Sequence, residues 1–371
     1  MSTMLPPPPK TLGMLSHVLT SSLASVQGLA NPLDLKPMHS VCVLLVDGLG
    51  THNLKAAGGH ARYLNSLAAE KISSFFPSTT STSLTAFATG LEPSETGFIA
   101  YQIFDRNSGE AMNLLSGWPD QDKALRFQPK ETISEKAVKN GIGFHVCSQA
   151  IYENSGLTAA TMRSVNFHSN SSISGRLADA ASLLAEKEPK VIYLYVPELD
   201  QIAHTHGVDS NRWLEVIEEL DADVSRLASS LGKNRGLLIT ADHGVIDIPY
   251  ERHVYVDDLI PDDKVHFVGG DTRGLTVYLR DPEEMSDFQV MLTEKLSGIA
   301  YVFRPEDLVT AGYLKNLGDR PEIVPDIWIV AKSEVALFHR TFARKRSLLN
   351  IGHHGGFTDR ELSIPLIKIG F

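Results

Sequence analysis

The sequence predicts an α/β fold, with a mostly parallel central sheet flanked by helices on both faces. Three observations carry this expectation. Ser40 to Val46, Lys190 to Val196 and Gly236 to Thr240 (SVCVLLV, KVIYLYV and GLLIT) are apolar runs of strand length, as in strands covered on both faces. Each run delivers an acidic segment: Asp47-Gly48-Leu49-Gly50, Pro197-Glu198-Leu199-Asp200 and Ala241-Asp242-His243-Gly244. Helical periodicity fills the intervals, so strands alternate with helices as in parallel α/β sheets.

In chain order, residues 1–37 hold four consecutive prolines, Pro6 to Pro9, and then the apolar pattern Leu12, Met14, Leu15, Val18 and Leu19. They read as a flexible N-terminal arm leading to a surface helix. The main domain takes residues 38–371. After the first strand a helix is expected over Ala61 to Glu70. An extended apolar entry (Ile72, Phe75, Phe76) then stops at Pro77. A run of hydroxyls follows, Ser78 to Ser83. Leu84, Phe87, Ala88 and Leu91 next recur at helical spacing, and Gly90 and Pro93 end the helix. Such a strand–turn–helix places a hydroxyl at a helix N-terminus, where free N–H groups favour an anion; exposed Ser and Thr there more often just cap the helix.

Thr96 to Gln128 shows no clear period. Thr132 and Glu135 form a capping-box pattern, and Gly141 to Ser148 reads as a strand. Leu177, Ala181 and Leu184 mark a helix ended by Pro189. Ser210 caps the strongest helix, with Trp213, Ile217, Leu220, Val224, Leu227 and Leu231 on one face and Gly232 closing it. Between about 257 and 345 the pattern changes to shorter strands (Leu275 to Leu279, Ile327 to Val330) and a helix near Met285 to Leu296, which predicts a small inserted or peripheral α+β lobe. Gly352-His353-His354-Gly355-Gly356 and a last strand, Ile364 to Ile369, complete the chain.

Composition narrows the partners. Hydrophobic residues make up 43% of 371, enough for a large core, and the net charge of −10 argues against a nucleic-acid backbone or an anionic membrane as partner. The two cysteines, Cys42 and Cys147, sit in apolar strand contexts and read as buried free thiols. The first residues lack a basic stretch followed by an apolar core, and no apolar run approaches the roughly 20 residues that span a bilayer. The expectation is a cytoplasmic protein acting on a small molecule; nothing in the sequence speaks to its oligomeric state.

Asp47, Asp200 with His204, Asp242 with His243, and His354 in its glycine-flanked loop are the residues with chemistry to offer. Carboxylate and imidazole are ligands that zinc accepts, and three protein ligands per ion leave positions open for substrate. Six such residues at one sheet edge suffice for two divalent ions of a two-metal phosphoryl site. Each fragment alone is commonplace, since DG and DHG turns abound. Four in one chain, each at a strand end or in a glycine loop, are not.

These motifs, VDGLG, FPSTTSTSLTAFATGLEPSETGF, ELDQIAHTHG, TADHG and HHGGFTDRELSIPLI, resemble those of the alkaline phosphatase superfamily, nearest its type I phosphodiesterase/nucleotide pyrophosphatase branch. The similarity runs from about Val41 to Ile369 apart from the lobe, and implies an alkaline-phosphatase-like fold. It implies one zinc ion on Asp200, His204 and His354, and a second on Asp47, Asp242 and His243 that also binds the nucleophile, Thr80. The implied reaction is a two-step in-line displacement through a phospho-threonine. In that branch an Asn placed 21 residues after the nucleophile donates to a phosphoryl oxygen; the position is Tyr101 here. A phenol is a possible substitute donor, or else Tyr101 only lines the pocket.

The resemblance therefore implies a metal-dependent hydrolase of phosphodiester or pyrophosphate bonds. A phosphomonoesterase or phosphonate hydrolase of the same superfamily is the nearest alternative, and a non-catalytic binding protein retaining the fold a more distant one. His206 and His353 neighbour ligands but are expected outside the ligand set. Arg106, Arg126 and Arg273 are the arginines considered for substrate contact, with no spacing that selects one.

Overall fold

A computed structural model describes residues 5–371 of the chain; Met1 to Met4, the first part of the expected arm, lie outside the described residues. The central sheet has seven strands: β1 (Ser40–Val46), β2 (Ala69–Ser73), β3 (Gly143–Ser148), β4 (Asn166–Ser169), β5 (Lys190–Val196), β6 (Arg235–Thr240) and β7 (Ser363–Ile369). Their spatial order is β2-β7-β6-β1-β5-β3-β4. β1 runs parallel to both β5 and β6, β5 parallel to β3, and β3 parallel to β4, whereas β7 is antiparallel to β6 and β2. The sheet is thus mixed by one strand and otherwise parallel.

Register does the positioning. Val46 pairs with Val196, and Leu45 with Thr240, so β1, β5 and β6 end at the same level. Every residue of β1 and β5 is buried, which is why both read as uninterrupted apolar runs. The acidic segments that follow them emerge together at the carboxyl edge, where open α/β sheets place their ligands.

Four helices matter to the site: α1 (Ser16–Gln27), α2 (Thr80–Thr89), α3 (Glu198–His206) and α4 (Asn211–Ser229). The long amphipathic pattern after Ser210 is α4, capped as expected by the Ser210 hydroxyl accepting the Trp213 N–H at 3.2 Å. Gly90 ends α2 at φ +74°, in the left-handed region.

Three local expectations differ from what the fold contains. The helix expected on the surface is α1, which packs on β1 and α2 and buries Leu15, Val18, Leu19 and Leu23. Its spacing showed an apolar face but not that the sheet needed a cover there. The helix expected over Ala61 to Glu70 is only Arg62–Ser66, because Ala69 and Glu70 already pair with β7 as part of β2. The aperiodic stretch from Thr96 contains a short hairpin, Gln102–Asp105 with Glu110–Asn113, too brief for a period to register.

Residues 265–331 carry a separate four-stranded antiparallel sheet, with Val265–Asp271, Gly274–Leu279, Ile327–Ala331 and Ala300–Phe303 in that spatial order. Its apolar cluster, including Val277, Leu292 and Ile329, is distinct from that of the main sheet. Among the described residues no helix is long and apolar enough to cross a membrane. Cys42 and Cys147 are both free and buried.

A buried ion pair joins this lobe to the C-terminal glycine loop. Arg273, fully buried, reaches Glu361 through Nε–Oε1 at 3.2 Å and Nη2–Oε2 at 3.3 Å, and its Nη1 donates to the carbonyls of Ser333 and Val335. Glu361 also accepts the Gly356 N–H at 2.8 Å and the Thr358 hydroxyl at 2.6 Å. Burial pushes the Glu361 carboxyl up, but Arg273 and these donors outweigh it and hold the group below its usual range. A depressed carboxylate contributes stability that is present above its unfolded-state value, about pH 4.3, and is lost as pH falls through the folded value. Glu361→Gln leaves Arg273 a buried unpaired cation and is expected to cost about 3–5 kcal/mol at pH 7. Urea unfolding checks this: the gap between wild type and variant should narrow below about pH 4, and a pH-independent gap would discount the pair.

Candidate active site

Thr80 is the first residue of α2, preceded by Thr79 in extended conformation. The hydroxyls around it are occupied elsewhere. The Ser78 hydroxyl donates to the Gly356 carbonyl at 2.8 Å and accepts the Gly355 N–H at 3.0 Å, Thr79 donates to Thr82 at 3.0 Å, and Ser83 is bonded to Ser74 at 3.0 Å. Thr80 differs. Its Oγ1 has one hydrogen-bond partner, His243 Nε2 at 3.2 Å, and it opens on a cavity of about 730 Å³.

The six Asp and His residues singled out in the sequence gather beside it. His243 Nε2 lies 3.5 Å from Asp47 Oδ1 and 3.4 Å from Asp242 Oδ2. On α3, Asp200 and His204 stand one turn apart with Oδ2 and Nε2 separated by 3.2 Å. His354 closes the group, its Nε2 3.3 Å from that of His204 and 3.9 Å from Asp200 Oδ1. Ligand atoms of Asp47, Asp242 and His243 lie within 4.8 Å of one another, as do those of Asp200, His243 and His354. His243 therefore stands between two donor groups, with its ring stacked on that of His354 at 3.9 Å between centroids. Gly48 and Gly244 allow this crowding: a Cβ on Gly48, at φ +74°, would meet Asp200 at 3.1 Å, and one on Gly244 the Arg360 carbonyl at 2.0 Å.

The outer atoms of two histidines are fixed by backbone. His204 Nδ1 contacts the Gly352 carbonyl and His354 Nδ1 the Ser78 carbonyl, each at 2.8 Å, which turns both Nε2 atoms inward. The Tyr195 hydroxyl donates to Asp47 Oδ2, and the Gly48 N–H to Asp242 Oδ1 at 3.1 Å.

Electrostatically the cluster is an anion without its counter-charge. Asp47 Oδ1, Asp200 Oδ1 and Asp242 Oδ2 are buried with no hydrogen-bond partner. Burial, then the neighbouring carboxylates Asp242 and Asp200, push the Asp47 carboxyl well above its usual range, and burial with Asp200 pushes Asp242 up to about 7. Burial also raises Asp200, but His204 overrides it and holds this carboxyl low; against the same opposing burial, Asp200 raises His204 to about 9. Burial lowers His243 to about 4, and lowers His354 too. Unpartnered carboxylate oxygens and inward imidazole nitrogens at these spacings are a donor set for divalent cations, with His204 giving up its proton on binding one, so the residues present fit the two-ion site implied by the motifs.

Asp47, Thr80, Tyr101, Asp200, His204 and His354 all line the same cavity, with Asp242 and His243 buried outside its lining. Tyr101 is half-buried, its hydroxyl 3.5 Å from Arg344 Nη1. His206 is exposed, while His353 is buried against the Thr272 hydroxyl at 2.8 Å and the Asn350 carbonyl at 3.1 Å, so neither joins the donor set. None of the three arginines considered reaches the cavity: Arg106 pairs with Asp326 at 2.8 Å, Arg126 sits on a surface groove, and Arg273 is held by Glu361. The cavity takes Arg344 and Arg346 instead, together with Asp271 from the lobe. Sequence reasoning missed all three; the one available signal was the basic run Arg344-Lys345-Arg346 in an acidic chain.

Known proteins match this chain in sequence and in fold. The family model for type I phosphodiesterase/nucleotide pyrophosphatase matches residues 41–356. An uncharacterized pyrophosphatase/phosphodiesterase of Schizosaccharomyces pombe is 24% identical over 193 residues, 50% of this chain and 39% of the relative. Venom phosphodiesterase 2 of Crotalus adamanteus is 24% identical over 214 residues, 55% of this chain and 25% of the relative. The matched segments thus cover well under half of these relatives. Murine ectonucleotide pyrophosphatase/phosphodiesterase 5 superimposes with a TM-score of 0.68 at 18% identity, over 88% of this chain and 87% of that one. The same murine protein is also known as an inactive variant in complex with AMP. With the family model spanning nearly all of the main domain and the fold shared, the chain belongs to the type I phosphodiesterase/nucleotide pyrophosphatase family of the alkaline phosphatase superfamily.

Proposed function

We propose that this protein hydrolyses phosphodiester or pyrophosphate bonds of small molecules, nucleotides among them, with Thr80 as nucleophile and two divalent ions, zinc by ligand type, as cofactors. The observation that carries the reading is the Thr80 hydroxyl: alone among its neighbours it opens on the cavity, beside buried carboxylates that lack a counter-charge. Asp200, His204 and His354 would hold one ion and Asp47, Asp242 and His243 the other. Bound there, the ions would supply Lewis-acid neutralisation of phosphoryl charge and acidify the threonine hydroxyl.

The chain's own residues then do the following. Thr80 Oγ1 loses its proton to solvent and attacks phosphorus; the Oγ1–P bond forms as the bond to the leaving oxygen breaks, and that oxygen departs with the electron pair. A water molecule attacks the phospho-threonine from the vacated side, breaking the P–Oγ1 bond and returning the hydroxyl. The N-terminal N–H groups of α2 face the phosphoryl charge throughout. Ser78 keeps the nucleophile turn attached to the loop that carries His354, so that the two groups hold one geometry. Tyr101, in place of the branch's Asn, offers a phenolic donor to the same cavity.

Three outcomes test this. Purified protein is expected to carry about two divalent ions per chain by elemental analysis. Thr80→Ala should lower diester hydrolysis roughly 10³-fold or more while keeping that metal content; full activity in the variant rejects the nucleophile. Tyr101→Phe should lower kcat roughly tenfold to a hundredfold if the phenol donates to phosphate, with Tm hardly moved; unchanged kinetics would leave Tyr101 a lining residue. A panel of diesters, pyrophosphates and phosphomonoesters measured on wild type ranks the bond types.

A further inference from the structure

We infer that Arg344 and Arg346 form a recognition site for a second phosphoryl group, and that the enzyme therefore favours phosphoanhydrides over diesters whose leaving group is uncharged. This rests on the hydrolase reading above. Both arginines line the cavity that holds Thr80, yet both side chains are exposed, and among the described residues neither has a carboxylate within ion-pair distance. Arg106, Arg176 and Arg273, by contrast, each pair with a carboxylate and lie outside the cavity lining. An exposed guanidinium with no carboxylate partner, lining a cavity, is a cation available to an anionic ligand, and its planar fork suits phosphate.

The loop that carries them is preorganised. The Ala343 N–H bonds to the His339 carbonyl at 2.8 Å. The Ser347 N–H and hydroxyl both bond to the Arg344 carbonyl, at 2.9 and 2.7 Å, and the Leu349 N–H bonds to that of Arg346 at 3.0 Å. At its base, Thr341 bonds to Asp262 at 2.9 Å and Arg340 to Asp257 at 3.3 Å. Arg344 is also aimed: Nη1 lies 3.5 Å from the Tyr101 hydroxyl and the guanidinium carbon 5.9 Å from that ring's centre. The carboxylates of the cavity have neighbours of their own. Asp47 and Asp200 lie in the donor cluster, and Asp271 accepts the Thr272 N–H at 2.7 Å while its second oxygen is 3.9 Å from His354 Nδ1. An anhydride with its scissile phosphorus at Thr80 would keep its next phosphoryl group in the same cavity, whose lining includes these two arginines. Lys345, between them in sequence, does not line the cavity and serves as an internal control.

The test compares wild type, Arg344→Ala, Arg346→Ala, Arg344→Lys and Lys345→Ala on ATP, cleaved between its α and β phosphorus, and on bis(4-nitrophenyl) phosphate. Arg344→Ala should raise KM for ATP roughly tenfold to a hundredfold, with Arg346→Ala changing it in the same direction. KM for bis(4-nitrophenyl) phosphate should stay within about twofold, Arg344→Lys should recover part of the loss, and Lys345→Ala should match wild type. Equal effects on both substrates, no effect on either, or a Lys345→Ala change as large as that of Arg344→Ala would overturn the assignment. Calorimetric binding of α,β-methylene-ADP against AMP gives a readout that needs no turnover. Wild type should prefer the diphosphate analogue, and Arg344→Ala should lose the preference. If wild type hydrolyses neither substrate but shows that preference and its loss, the hydrolase reading fails and the recognition site stands. If wild type shows no preference, the site fails whatever the activity.

Discussion

Three carboxylates buried at one end of a sheet need positive charge, and the organisation of this molecule answers that need. Asp47, Asp200 and Asp242 each present an oxygen without a hydrogen-bond partner, in surroundings that push two of the three toward their protonated forms. An unpaired buried charge is among the most costly features a fold can carry. The rest of the site reads as the frame for its compensation: imidazoles turned inward by backbone carbonyls, glycines where no Cβ fits, and a Tyr195 hydroxyl on the far oxygen of Asp47.

The hydroxyl-rich turn shows how one atom is singled out from a repetitive sequence. Ser78, Thr79, Ser81, Thr82 and Ser83 are chemically close to Thr80, and all are buried. All five have partners within the turn, in Ser74 or in the glycine loop, or serve as partners themselves. Those bonds also join the Thr80 turn to the His354 loop, and Glu361 carries the connection on to Arg273 in the lobe. The lobe is therefore coupled to the site through a short chain of buried polar contacts, besides supplying part of the cavity wall.

Much of this was legible without coordinates. The strands that deliver Asp47, Asp200 and Asp242 are buried on both faces, and that burial writes itself into sequence as uninterrupted apolar runs. The carboxylates follow close behind those runs, so their convergence needs only parallel register. α1 was harder to judge. Its apolar spacing says that one face is covered, but whether by this sheet or by another partner depends on contacts with β1 and α2 far along the chain. β2 was partly lost inside an expected helix, because its exposed first residues carry no alternation and only pairing with β7 defines them.

The sequence by itself determined the chemistry at the strand ends. Short apolar strands, glycine turns and Asp/His spacing are local properties, and a parallel sheet converts them into a site with little further freedom. Only the tertiary structure decided which groups face that site from elsewhere. Asp271 from the lobe, and Arg344 and Arg346 from the segment that leads out of it, lie more than 190 residues after Thr80 and line the cavity because the chain folds back against the main sheet there. Arg273, a substrate candidate by residue type, is withdrawn into an ion pair by the same packing. Side-chain direction and burial in a docked lobe are set by long-range contacts, and no short-range pattern records them.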